Sequence, residues 1–158
     1  MKRRAINPAA LSVPTGYSHV STVTGGTSIY VAGQIAFNKE GQIVGIGDIA
    51  AQAKQVYENL GACLKAAGAT FKDVVKLVSY VVNLTPEKAA AARAVRREYL
   101  GEEPFPASTM VGVTALVNPD LLIEVEVIAF VPRRPASKAK SAAKKKAPAK
   151  KATTKRGR

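Results

Sequence analysis

A chain of 158 residues suits one domain, and its formal charge of +13 has the sign expected of a nucleic-acid binder. The charge is not spread evenly: of the 24 basic residues, twelve fall within 133–158, where there is no acid, and the other twelve share residues 1–132 with all 11 acids, a formal net of +1. A single cysteine, Cys63, excludes an intrachain disulfide, and no run is long and apolar enough for a membrane helix.

The start, MKRRAINPAALSVPTG, has basic residues but no apolar run behind them, which argues against a signal peptide. A soluble cytoplasmic protein is the expectation. Residues 1–16 read as an irregular lead-in. SHVSTVT at 18–24 and SIYVA at 28–32 are β-rich runs split by Gly25-Gly26, a hairpin signal. Residues 36–47 hold Asn38, Gly41, Gly45 and Gly47 and at most a short strand at 42–44.

Asp48 is placed to cap a helix. Ile49, Ala53, Val56, Leu60, Cys63, Leu64 and Ala67 then recur at helical steps on one face, and Gly68 is a fitting stop. DVVKLVSYVVNL at 73–84 reads as a central strand. Thr85-Pro86-Glu87 opens a second helix, with a capping hydroxyl, a proline at the first position and an acid in the first turn; it runs to about Leu100. Strands at 107–116 and 121–131 are joined by Val117-Asn118-Pro119-Asp120, a turn sequence. The order is β-β-(β)-α-β-α-β-β, an α+β domain over 17–132. Residues 133–158 lack periodic apolar positions and are expected to form a disordered basic tail.

Two helices cover one face of such a sheet. On the last strand Leu121, Ile123, Val125, Val127, Ala129 and Val131 point one way, and Leu122, Glu124, Glu126, Ile128 and Phe130 the other. The uncovered set would be a large apolar patch, so self-association is expected. Glu124 and Glu126 share that second face, roughly 7 Å apart by strand rise. They are either solvated at a rim or held there by partners or chemistry.

TGYSHV around Tyr17, VAGQI at 31–35, DIAAQAKQVYENLGACLKAAGAT at 48–70, FKDVVKLVSYVVNL at 71–84, FPAST at 105–109 and IEVEVIA at 123–129 together resemble the Rid (YjgF) family, in order from about residue 6 to 132. The resemblance implies a chorismate-mutase-like fold, a homotrimer and small-molecule clefts between subunits. It implies hydrolysis of reactive imines or enamines to keto acids and ammonia, with no metal or other cofactor. Tyr17 and Glu124 match catalytic positions, Glu124 handling the attacking water, and Ala32, Gly33 and Gln34 match the backbone that contacts substrate. The family's carboxylate-gripping arginine belongs to an F-P-A-R-S segment; here Ser108 stands in its place, between Ala107 and Thr109. Met110 replaces a frequent cysteine, and the usual asparagine of the second helix is missing from AAAARAVRRE.

Serine cannot form the bidentate carboxylate grip of a guanidinium. Arg93, Arg96 and Arg97 share a helix face. Either one of them, Arg93 foremost, reaches the cleft in place of the missing arginine, or all three are solvated and partly paired with Glu98, Glu102 or Glu103. Ser108, Thr109 and Met110 remain candidates for contacting the ligand, with Gly112 leaving space. His19, two residues after Tyr17, is a candidate acid or base or else a structural residue. Lys144, Lys145, Lys146, Lys150 and Lys151 make the tail a mobile polycation, either for non-specific DNA or RNA binding or for solubility alone. Two function classes therefore stand: a cofactor-independent hydrolase of the Rid type, and a non-catalytic trimer that binds a ligand or nucleic acid.

Overall fold

A computed structural model describes residues 2–132 of the chain; the five tail lysines singled out above lie outside the described residues. The elements run β1 (Lys2–Ile6), β2 (Val20–Thr24), β3 (Thr27–Gln34), α1 (Ile49–Ala66), a 3-10 turn at Phe71–Asp73, β4 (Val74–Val82), α2 (Pro86–Leu100), β5 (Ala107–Val113) and β6 (Ile123–Val131). The α+β class is as expected. A four-stranded mixed sheet has the order β3-β6-β4-β5, and β1 and β2 form a separate antiparallel ribbon.

Two local expectations need correcting. Residues 2–6 are not irregular: they form β1, and only the segment after it lacks regular structure. Gly25 and Gly26 do turn the chain, both at positive φ (71° and 111°), but no hairpin results. β2 pairs with β1, and β3 pairs with β6. A glycine pair fixes a reversal and leaves the choice of partner strand to tertiary packing. The doubtful strand at 42–44 is a single bridge between Phe37 and Ile43.

Both helices begin where their caps predict. Asp48 Oδ1 accepts from the backbone N–H of Ala50 and Ala51, and Thr85 Oγ1 from that of Lys88, with Pro86 in the first turn. α1 buries Ala53, Val56, Leu60 and Leu64 against Leu77 and Val81 of β4 and Ile123, Val125, Val127 and Ala129 of β6. α2 adds Ala89, Ala92 and Val95. Its small side chains let it lie close. Gln52 is fully buried on the same face of α1: its Nε2 donates to Asp120 O (2.7 Å), and its Oε1 accepts from Leu122 N (2.7 Å). It thereby fixes the turn that delivers β6. At 118–121 the turn closes through Leu121 N to Asn118 O, with Asp120 N donating to Asn118 Oδ1.

β4 and β6 are the two inner strands, and both helices lie on one side of them. The opposite face carries Lys76, Val78, Tyr80, Glu124, Glu126, Ile128 and Phe130, half-buried and free of any covering element, with Tyr30 of β3 at 75 % exposure. A shallow cavity of about 370 Å³ on this face is bordered by Tyr30, Ala32, Lys76, Val78, Glu126 and Ile128.

Candidate functional site

The residues expected to act together divide between the two faces of the sheet. Paired residues on neighbouring strands share a face. Ser108 pairs with Leu77, and Met110 with Ser79, both on the helix-covered side; Thr109 pairs with Val78 and so faces the open side, where Lys76 Nζ donates to its Oγ1 (2.6 Å). Glu124 pairs with Tyr80, also on the open side.

On the helix side the site is built at β5, the edge strand. The lead-in runs alongside it: Ser18 N donates to Pro106 O (3.1 Å), and Ser18 Oγ to Phe105 O (2.8 Å). This lays Tyr17 beside the start of β5. α2 crosses above, and Arg96 points down from its inner stripe. The Arg96 guanidinium donates through Nη1 to Ser108 Oγ (3.0 Å) and through Nη2 to Gly16 O (3.0 Å). Thr15, Tyr17, Arg93, Arg96, Ser108 and Met110 together line a cavity of about 210 Å³. A guanidinium therefore does stand over Ser108, delivered by the helix instead of the strand.

Arg96 is only 5 % exposed, whereas Arg93 and Arg97 are exposed beside it. Burial first pulls the Arg96 pKa below its ordinary value; Tyr57 nearby opposes this, and the charges of Arg93 and Arg97 add to the lowering. The acid pairing considered for this trio does not occur among the described residues: no carboxylate acts on Arg96, and its side-chain bonds are to two neutral oxygens. Arg96 repeats the seven-residue spacing from buried Ala89, and that register was the signal in the sequence for its inward direction.

On the open side Glu124 lies against Gly33. A Cβ built on Gly33 would fall 1.8 Å from Glu124 Oε1, so only glycine lets this carboxylate lie down on β3. Gly33 sits in the irregular stretch between Val31 and Gln34, where the β3–β6 register slips. Gln34 turns its amide back onto the carbonyls of Ala32 and Gly33 (3.1 and 3.3 Å). Tyr80, between the acids, has its hydroxyl pKa raised by burial, by the charges of Glu126 and Glu124, and by a hydrogen bond with Glu126.

His19 packs edge-on to Tyr17 with ring centroids 5.3 Å apart, and its Nε2 is within hydrogen-bond distance of Ser12 O (2.9 Å). Its backbone N–H donates to Asn7 Oδ1 (2.9 Å), so this histidine ties down the lead-in behind Tyr17. The space expected at Gly112 is taken: a Cβ there would lie 3.0 Å from Leu84 Cβ. Among the described residues no group of three His, Cys, Asp or Glu side chains is placed to hold a metal ion, and no helix is long and apolar enough to cross a membrane.

Within one chain these two half-sites cannot meet. Glu124 is two strands from Ser108 and three pairing positions along, roughly 10 Å in each direction, and on the opposite face.

Comparison with known proteins assigns the architecture. The sequence profile described as Endoribonuclease L-PSP matches residues 7–131. A RutC family protein of Pyrococcus abyssi is 45 % identical over 106 residues, covering 66 % of this chain and 80 % of its own length. A 2-iminobutanoate/2-iminopropanoate deaminase of Dermatophagoides farinae is 32 % identical over 130 residues, 82 % of this chain and 97 % of its own. The crystal structure of a Rid-family protein of unknown function, YyfB of Yersinia pestis, superposes with a TM-score of 0.76 at 43 % identity, covering 83 % of this chain and all of that one. With the two helices on a mixed sheet and the ordered segments from Tyr17 to Glu124, these matches establish that the chain belongs to the Rid/YjgF (Endoribonuclease L-PSP) family.

Proposed function

We propose that the chain is a cofactor-independent hydrolase of small imines or enamines, working in clefts between the subunits of a homotrimer. The observation that carries this reading is the division of the site. One face of the sheet offers a tyrosine and a buried guanidinium at its edge; the other offers a half-buried carboxylate on an uncovered apolar surface. Each is half of a site for a carboxylate-bearing electrophile, and packing the β5 edge of one copy onto the open face of the next joins them. The deaminase relative supports the reaction type.

In the joined cleft Arg96, steadied by Ser108, holds the substrate carboxylate where the strand arginine of other members would. Tyr17 packs on the substrate. Glu124 of the neighbouring copy takes a proton from water as the water oxygen bonds to the imine carbon. The C=N π pair moves to nitrogen, which takes up that proton to give the carbinolamine. Its hydroxyl proton then passes by way of Glu124 to the nitrogen, the C=O forms, and the C–N pair leaves with ammonia. The products are a 2-keto acid and ammonia, and no oxidant or metal enters the balance. General-base assistance of this kind contributes about 10²–10⁴-fold. Release of ammonia and keto acid from freshly generated 2-iminobutanoate should therefore exceed the buffer rate in the wild type and fall about 100-fold or more in Glu124→Gln. A wild type no faster than buffer, or a fully active Glu124→Gln, overturns the proposal.

A second reading rests on charge alone: twelve basic and no acidic residues within 133–158 favour non-specific binding of DNA or RNA, falling steeply with salt. A gel shift unchanged by deletion of that segment would count against it.

A further inference from the structure

We infer that the cavity above Ser108 takes a dianion, so that the substrate carries a second acidic group besides the carboxylate beside its imine carbon. The word substrate rests on the hydrolase reading; the anion does not. Arg96 is 95 % buried by its 5 % exposure, yet the groups it touches, Ser108 Oγ and Gly16 O, are neutral. Removing a charge from water is unfavourable unless an opposite charge meets it, and no acid of the described chain does so. Two of the five guanidinium N–H groups are used in these bonds, and Arg96 borders an open cavity with the rest. An anion from solution can supply the missing counter-charge.

A single carboxylate would answer Arg96 alone. Arg93 lines the same cavity, exposed and without a side-chain hydrogen bond among the described residues. Arg97 lies outside the lining, near Gly16: a Cβ on Gly16 would lie 3.8 Å from its Nε, and 3.4 Å from Arg96 Nη2. No acid lines the cavity. Two guanidinium groups, Arg96 and Arg93, thus line one small space. A dianion supplies one negative charge to each of them. A monocarboxylate on Arg96 leaves Arg93 without a counter-charge. The fitting ligand class is a short dicarboxylate, or a 2-imino acid with an acidic side chain: the reacting carboxylate on Arg96 with Ser108, the second acidic group on Arg93.

Isothermal titration of the full chain with succinate and glutarate, against butyrate at fixed ionic strength, tests this. The dianions are expected to bind at least tenfold tighter, about 1.4 kcal/mol. Arg93→Gln, an exposed and structurally mild change, should reduce succinate to the butyrate level. The basic residues of 133–158 are identical in both proteins, so any adventitious anion binding there cancels. Equal affinity for mono- and dianions in the wild type, or a dianion advantage retained in Arg93→Gln, overturns the inference. The two readings fail separately. Dianion preference with no ammonia from any imine removes the hydrolase and keeps the site. Ammonia from 2-iminobutanoate with no dianion preference removes the dianion and keeps the hydrolase.

Discussion

At the scale of single residues, the site depends on close approaches that only certain side chains permit. Gly33 is the sharpest case. Its absent Cβ is the space that Glu124 Oε1 fills, so Gly33→Ala must push the carboxylate away from β3. The expected result is a loss of imine hydrolysis approaching that of Glu124→Gln, with urea stability changed by less than about 1 kcal/mol because both residues are only half-buried. Retained activity in Gly33→Ala would show that the water-handling carboxylate need not lie where this structure puts it. Arg96 and Glu124 were legible to different degrees. Glu124 stood out as a charge on an apolar strand face. Arg96 was hidden among three arginines, because a charge run on a helix normally faces solvent and only the alanine register 89–92–96 argued otherwise.

At the scale of elements, legibility followed periodicity. α1, β4 and β6 are strongly patterned and fall within two residues of the expected bounds. β5 ends at Val113, short of the expected 116. β1 escaped notice because KRRAI opens with three consecutive basic residues and lies in a ribbon apart from the helix-covered core, so it leaves no hydrophobic signature. Gln52 escaped for the opposite reason: it is polar, yet it begins the buried stripe of α1. Its amide serves the Asp120 carbonyl and the Leu122 N–H, which precede β6 and have no strand partner to replace it. Gln52→Leu keeps the volume and abandons both groups. At about 1–3 kcal/mol for each buried group left unpaired, urea unfolding should show a loss of about 2–4 kcal/mol. A change under about 0.5 kcal/mol would mean that the turn at 118–121 holds itself.

At the scale of the whole molecule, the uncovered sheet face and the incomplete half-sites pose one problem, and the proposed trimer answers both. Tyr30, Val78 and Ile128 present apolar surface that an isolated chain leaves wet. Sedimentation should give three chain masses for the wild type, and Val78→Asp, which sets a carboxylate beside Glu126 on that face, should yield monomers that no longer hydrolyse imines. A monomeric wild type, or an active monomeric Val78→Asp, would sink the shared-cleft arrangement.

The Ser108–Arg96 bond also divides labour between a strand and a helix. In a site whose guanidinium grows from β5, one position must both hold the sheet together and carry the charge. Here β5 supplies only a short acceptor, and α2 supplies the cation. Position 108 is thereby open to any small side chain that can accept a hydrogen bond, such as threonine or asparagine, without altering the charge of the cavity. The placement of α2 becomes the fixed quantity: Ala89 and Ala92, buried on the same side of the helix as Arg96, keep that side close to its neighbours.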